Sequence, residues 1–210
     1  MNNLIANCFF VIPKKLKIIC VFVFVFISSQ ANSNETLTSK IELLQEALIQ
    51  VTKNSNQVSD NLKKIKQVVE QVYNNKKMLK IIIGENNWEK LGDKEKEDLY
   101  ETFLEYISFN YINRFSKIVK PRFELIKFKK IGEKFNLVET NLIISNEEKV
   151  MIHYLFSKVE SDWKIFDVLL EGTISEIATK KSEFKKIIDE NGVSSLAKSI
   201  RSKIDESLKK

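Results

Sequence analysis

His153 is the single histidine of this 210-residue chain, and it stands in the middle of an alternating run, 149–158 (KVMIHYLFSK). A protein metal site ordinarily draws on several ligands, so a lone strand histidine reads as a structural or wall residue. Glu139, Asp167 and Glu171 fall on different candidate strands or at a strand end, where carboxylates could converge as a general acid–base pair. Acids at strand ends are more often hydrogen-bonded or solvated. Cys8 and Cys20 both precede residue 32. The rest of the chain therefore lacks a thiol nucleophile, a disulfide and a Cys-ligated metal. No Gly-rich phosphate loop, GxSxG or HExxH occurs, and nothing resembles a nucleophile with its base. Together these residues point to binding rather than catalysis, with no enzyme activity, metal or cofactor expected.

The N-terminus carries a different signal. Lys14, Lys15 and Lys17 precede an unbroken apolar run, Ile18 to Ile27 (IICVFVFVFI), and Ser28-Ser29-Gln30-Ala31 follows with small residues at Ser29 and Ala31. That is the pattern of a secretory signal cleaved near Ala31. The run is about half the ~20 apolar residues that a spanning helix needs. Cys20 lies near the start of the run and not directly after it, which does not fit a lipoprotein signal. The expected organisation is residues 1–31 as a cleavable signal and residues 32–210 as one domain, large enough for a real core.

Charge then loses its apparent meaning. The whole chain has 34 Lys+Arg against 28 Asp+Glu, a net charge of +6. Without residues 1–31 the balance is 31 against 28, or +3, an ordinary solubility margin. The charges are interspersed, as in DKEKED and KKSEFKK. The aromatic residues are mainly Phe in apolar stripes, the pattern of a core rather than an exposed stacking platform. Nucleic acid is not an expected partner.

Hydropathy spacing supplies the elements. Leu37, Ile41, Leu44, Leu48 and Val51 step by four and three, as do Val58 (after the break at 53–56), Leu62, Ile65, Val69 and Val72. These are the seams of two amphipathic helices, narrow enough to suggest an αα-hairpin on the outside of something larger. Residues 78–83 are short and apolar, and 85–92 read as a turn or short helix. Asp93 is a candidate N-cap with acids behind it. A broad apolar face from Leu99 to Ile118 then predicts a helix over 93–119, ended by Pro121 and buried against a sheet.

The texture next changes to period two. Four strands are predicted, 122–130, 134–145, 149–158 and 162–170, joined by short turns into an antiparallel meander. Several are apolar on both faces. Such a sheet is covered on both sides, or covered on one and lining a cavity on the other. Glu171-Gly172 interrupts, helical spacing returns with Ile177, Phe184 and Ile187, Asn191-Gly192 stops it, and Leu196, Ile200 and Ile204 mark a last helix. The expected fold is α+β: a four-stranded antiparallel meander packed by N- and C-terminal helices. The apolar surface fits a filled core or a pocket for a greasy ligand equally well by periodicity alone.

At residues 162–200 a pattern emerges. Trp163-Lys-Ile-Phe-Asp-Val, then Glu171-Gly172, a helix carrying Phe184, Asn191-Gly192-Val193 and Leu196 resemble the MlaC family, the periplasmic phospholipid-binding proteins of the toluene-tolerance and lipid-asymmetry transport system. Upstream, Gly84 to Asp93 with Trp88, then Tyr100, Phe103 and Tyr111, fits as well. Two departures are visible. Ser175 comes one residue later than the family's serine, and Lys180-Lys181 stand where many members have Tyr-Arg. The resemblance implies a non-enzymatic carrier of phospholipid in the periplasm. Its implied partners are an inner-membrane ABC transporter complex with an MCE-domain subunit and an outer-membrane lipoprotein–porin complex, and the chain is expected to act as a monomer. The lipid's acyl chains would lie in a pocket between sheet and helices. From the apolar faces, the expected lining is Phe103, Ile107, Tyr111, Phe128, Leu142, Ile144, Ile152, Tyr154, Phe156, Phe166 and Val168. The alternative is an adaptor with a filled core, acting through protein contacts.

Overall fold

A computed structural model describes residues 14–144 and 148–208, with side chains from residue 33 onward. The chain divides into two compact units, Met1–Thr36 and Leu37–Lys210. The expected signal, residues 1–31, falls outside the described side chains, and its first 13 residues fall outside the described backbone. Among the described residues no helix is long and apolar enough to cross a membrane.

Among the described residues, seven α-helices and five strands follow in the order α1 (Lys14–Lys53), α2 (Val58–Val72), α3 (Asn75–Ile83), α4 (Glu85–Lys90), α5 (Asp93–Phe115), β1 (Arg122–Ile131), β2 (Phe135–Ile143), β3 (Lys149–Val159), β4 (Asp162–Leu170), β5 (Ile174–Ser175), α6 (Glu176–Asn191) and α7 (Leu196–Leu208). The sheet is an antiparallel meander in sequence order, β1-β2-β3-β4-β5. The predicted four strands are present; the fifth, two residues long, is too short to leave a periodicity in the sequence. Together with a parallel bridge from Tyr73 to Ile165, it covers the outer edge of β4, which would otherwise offer unpaired backbone groups. The free edge is β1, whose Lys127, Lys129 and Lys130 are exposed, a common way of blunting an open edge.

Helix ends differ slightly from expectation. The N-cap of α5 is Gly92 rather than Asp93, and the Gly92 N–H donates to Glu95 Oε2 at 2.8 Å. That hydrogen bond holds the Glu95 carboxyl below its usual range. The helix stops at Phe115, short of 119, because its last turn closes at Ser116 (Ser116 N–H to Ile112 O, 2.9 Å) well before Pro121. Its two sides are both used. Leu99, Leu104, Phe109 and Ile112 are buried, as are Phe103 and Phe115; a helix apolar nearly all round belongs in an interior. The seam of α1 is likewise buried, from Leu37 through Ile41, Leu44 and Leu48 to Val51.

The β4–α6 junction explains the Asp-Val and Glu-Gly pairs noted in the sequence. Asp167 is buried, and its carboxylate accepts the Ile177 N–H (3.1 Å), the Val168 N–H (2.8 Å) and the Ser175 hydroxyl (2.6 Å). Ser175 Oγ in turn accepts the Ala178 N–H at 3.0 Å, as the N-cap of α6. A carboxylate with several donors at a helix N-terminus is favoured by charge-assisted bonds and by the helix dipole. Asp167 therefore fastens α6 to the sheet. Glu171 and Gly172 both have positive φ (50° and 71°), and the Thr173 N–H closes the turn on Leu170 O at 3.1 Å. A Cβ on Gly172 would come within 3.0 Å of His153 Cε1.

Gly172→Ala is expected to destabilise the fold by about 1–2 kcal/mol from the left-handed backbone alone, and more if the His153 ring cannot yield. Chemical denaturation with a lowered midpoint and unchanged slope would show it; an unshifted midpoint would contradict this account of the turn.

Candidate functional site

Between α5 and the sheet lies a cavity of about 340 Å³, at the small end of the range for ligand sites, roughly 300–1,000 Å³. One wall is α5, where Phe103, Ile107, Tyr111, Phe115 and Ile118 recur at helical spacing from the helix into the residues just past its end. The opposite wall is the sheet. Leu142 and Ile144 come from the end of β2 and just beyond it, Val150, Ile152 and Tyr154 from β3, and Val168 and Leu170 from β4. Leu48 of α1, Met78 and Ile82 of α3, and Ile177 of α6 complete the enclosure.

A few polar groups join the lining. Asn110 and Arg114 come from the C-terminal half of α5, Glu176 and Lys180 from the start of α6. Arg114 Nη1 donates to Glu176 Oε1 at 2.7 Å, and the Arg114 side chain is half exposed. Lys180 Nζ donates to the Tyr106 hydroxyl and to Glu183 Oε2, both at 2.8 Å, while Lys203 Nζ donates to Glu183 Oε1 at 2.7 Å. This cluster ties α5, α6 and α7 together beside the cavity. Burial pushes the Glu183 carboxyl up, but the hydrogen bonds from Lys180 and Lys203 outweigh it and hold the group below its ordinary value. Burial alone lowers Lys180; its bonds to Glu183 and Tyr106 outweigh that and leave it raised.

Three tyrosines bring hydroxyls to the interior. Tyr73 and Tyr111 hydrogen-bond to each other through their hydroxyls, and Tyr154 sits beside the Gln45 amide. Burial pushes Tyr111 up to about 12, and it raises Tyr73 and Tyr154 as well. All three therefore keep their protons at any ordinary pH.

Phe103, Ile107, Tyr111, Leu142, Ile144, Ile152, Tyr154 and Val168 of the expected lining surround this cavity. Phe128, Phe156 and Phe166 do not. Phe156 shares a face with Tyr154 but lies farther along β3, fully buried in solid core. Phe128 is half-buried on the outermost long strand, β1, which contributes nothing to the lining. Phe166 sits where the β3–β4 register slips, and its ring instead meets Phe135 at 5.3 Å and Lys77 Nζ at 4.0 Å. Simple alternation cannot anticipate a bulge.

Sequence reasoning missed Leu48, Tyr73, Met78, Ile82 and the polar groups. For Phe115 and Ile118 the signal was present, since both continue the four-and-three stepping of α5. For Tyr73, Met78 and Ile82 it was not, because nothing local says that α3 closes over the sheet.

The acid–base candidates do not converge. Glu139 and His153 are register partners on the far face of the sheet, since Ile152 and Tyr154 on either side of His153 face the cavity. Glu139 has Lys127 Nζ at 3.5 Å. Asp167 is committed to α6, and Glu171 is exposed in its turn. Among the described residues no group of three His, Cys, Asp or Glu is placed to hold a metal.

Comparison with known proteins bears on the same segment. The family model described as MlaC protein matches residues 41–202. A phospholipid-binding protein from Ralstonia solanacearum, solved in complex with a phospholipid, has a similar fold. Its TM-score is 0.67 at 18% identity, over 82% of this chain and 96% of that one. A cystatin-like domain of unknown function from Nostoc punctiforme aligns over 49% of this chain and 67% of its own, with a TM-score of 0.25 at 18% identity, too low to bear on the fold. No curated protein matches at a significant level.

Because the folded-state value of Glu183 is depressed, its contribution to stability is complete above the unfolded carboxyl value of about 4.3 and is lost as pH falls through the lower folded value. Glu183→Gln is expected to lower the melting temperature at pH 7 and to flatten its dependence on pH below about 4.5, as read by thermal melts across pH 2.5–7. A variant retaining the wild-type acid slope would remove Glu183 from that role.

Proposed function

The chain belongs to the MlaC protein family, and we propose that it is a non-enzymatic phospholipid carrier of the periplasm, holding acyl chain in the cavity between α5 and the sheet. The observation that carries this is the cavity itself: a largely apolar space between α5 and the sheet, with charged groups only at Arg114, Glu176 and Lys180. That is the polarity of an amphiphile entering tail first. Each methylene withdrawn from water contributes about 0.8 kcal/mol, so ten buried methylenes supply about 8 kcal/mol without any covalent step. The phospholipid held by the Ralstonia solanacearum protein of like fold supports the same ligand class.

The wider role follows from family membership. Such a carrier takes lipid between an outer-membrane lipoprotein–porin complex and an inner-membrane ABC transporter with an MCE-domain subunit, acting as a monomer. The N-terminal signal reading of residues 1–31 fits export to that compartment. The competing reading, an adaptor with a filled core, is disfavoured by the cavity.

Protein purified under native conditions from a Gram-negative host should carry phospholipid, seen as a mass increment by native mass spectrometry. Ile107→Trp with Leu142→Trp, bulky residues from opposite walls, should remove most of that increment while the circular dichroism stays folded. Wild-type protein that is always empty and takes up no lipid would sink the proposal. A ligand that binds the folded state alone also stabilises it. Removing lipid with detergent is therefore expected to lower the melting temperature by several degrees, with recovery on adding phospholipid vesicles.

A further inference from the structure

The cavity contains a hydrogen-bonding imbalance that acyl chains alone do not explain. Tyr73 is 3% exposed, and its hydroxyl bonds to that of Tyr111, which lines the cavity. Each phenol carries one hydrogen. The bond between them uses one of the two, and the other has no acceptor among the described residues. A buried unmet donor costs on the order of 1–3 kcal/mol, so a stable cavity of this make-up calls for a ligand that brings acceptors.

The depth of the pair narrows what that acceptor is. Along α5, Tyr111 stands one turn from Arg114, about 4.5 Å at 1.5 Å rise per residue, among the apolar lining residues Ile107 and Phe115. Both tyrosines are near enough to Glu176 to feel its charge. The hydroxyl pair thus lies one helical turn from the charged Arg114–Glu176 pair, within an otherwise apolar stretch of lining. In a diacyl amphiphile entering tail first, the groups at that level are the ester linkages. An ester carbonyl is an acceptor with no hydrogen of its own, which complements a surplus of donors. Arg114, whose charge reaches Tyr111, is already paired with Glu176 at 2.7 Å, so a free carboxylate here would bring an unpaired charge whose desolvation is costly. A plain hydrocarbon would leave the donor unmet.

Building on the lipid-carrier reading above, we propose that the Tyr73–Tyr111 hydroxyl pair is an ester-recognition site, donating a hydrogen bond to an acyl ester carbonyl and setting how deep the ligand sits. The carrier then discriminates diacyl from dialkyl lipids of the same shape.

The test compares two phosphoethanolamine lipids of equal chain length, one diester and one diether, binding to lipid-stripped protein. Wild-type protein is expected to bind the diester about tenfold more tightly, the weight of one well-made buried hydrogen bond. In Tyr73→Phe and in Tyr111→Phe that gap should shrink to about twofold or less through weaker binding of the diester. Equal affinities in the wild type would overturn the proposal, and so would a tenfold gap that survives both substitutions. The wild-type comparison stands even if one variant fails to fold. Binding of neither lipid would overturn the carrier reading and the ester site with it, whereas binding of both without preference overturns only the ester site.

Discussion

Keeping two apolar walls apart is the constraint on which this structure depends. Protein interiors close to crystal-like density, and collapse of α5 onto the sheet would bury the same side chains more completely. Walls standing apart around about 340 Å³ forgo the van der Waals contacts that collapse would give them. The walls must therefore be braced from behind, and the fold does this with helices. Leu99, Leu104, Phe109 and Ile112 on the far sides of α5 are buried, in a helix that packs on α2 and α7. The wall helix is thus wedged and not free to fall inward.

The sheet side is braced differently. Asp167 holds the start of α6 against β4 with two hydrogen bonds, from Ser175 and Ile177, and the Glu171-Gly172 turn brings β5 alongside to cover the edge. That placement delivers Glu176, Ile177 and Lys180 to the cavity. The residues most suggestive of a motif in this region are architectural. They place Glu176 where it pairs with Arg114 of α5.

Helix α5 ties the fold to the site: in one rigid run it presents Arg114, Tyr111 and the apolar Phe103, Ile107 and Phe115 to the same cavity. The Lys180–Glu183–Lys203 cluster, with Tyr106, links three helices at once beside it.

What the sequence determined by itself was everything carried by local periodicity. The two N-terminal seams, the long α5, the four-strand meander and the closing helices were legible because a 3.6 or a 2.0 repeat is written in neighbouring residues. Eight side chains of the cavity lining could be named on the same ground. The tertiary structure alone decided the rest. It placed Phe166 on a register slip, put Phe156 into solid core, recruited Leu48, Met78 and Ile82 from helices that no repeat ties to the sheet, and joined Tyr73 to Tyr111 across 38 positions. The physical reason is that a cavity is a distance between surfaces. Hydropathy reports how greasy each surface is, but only long-range packing sets how far apart two greasy surfaces come to rest.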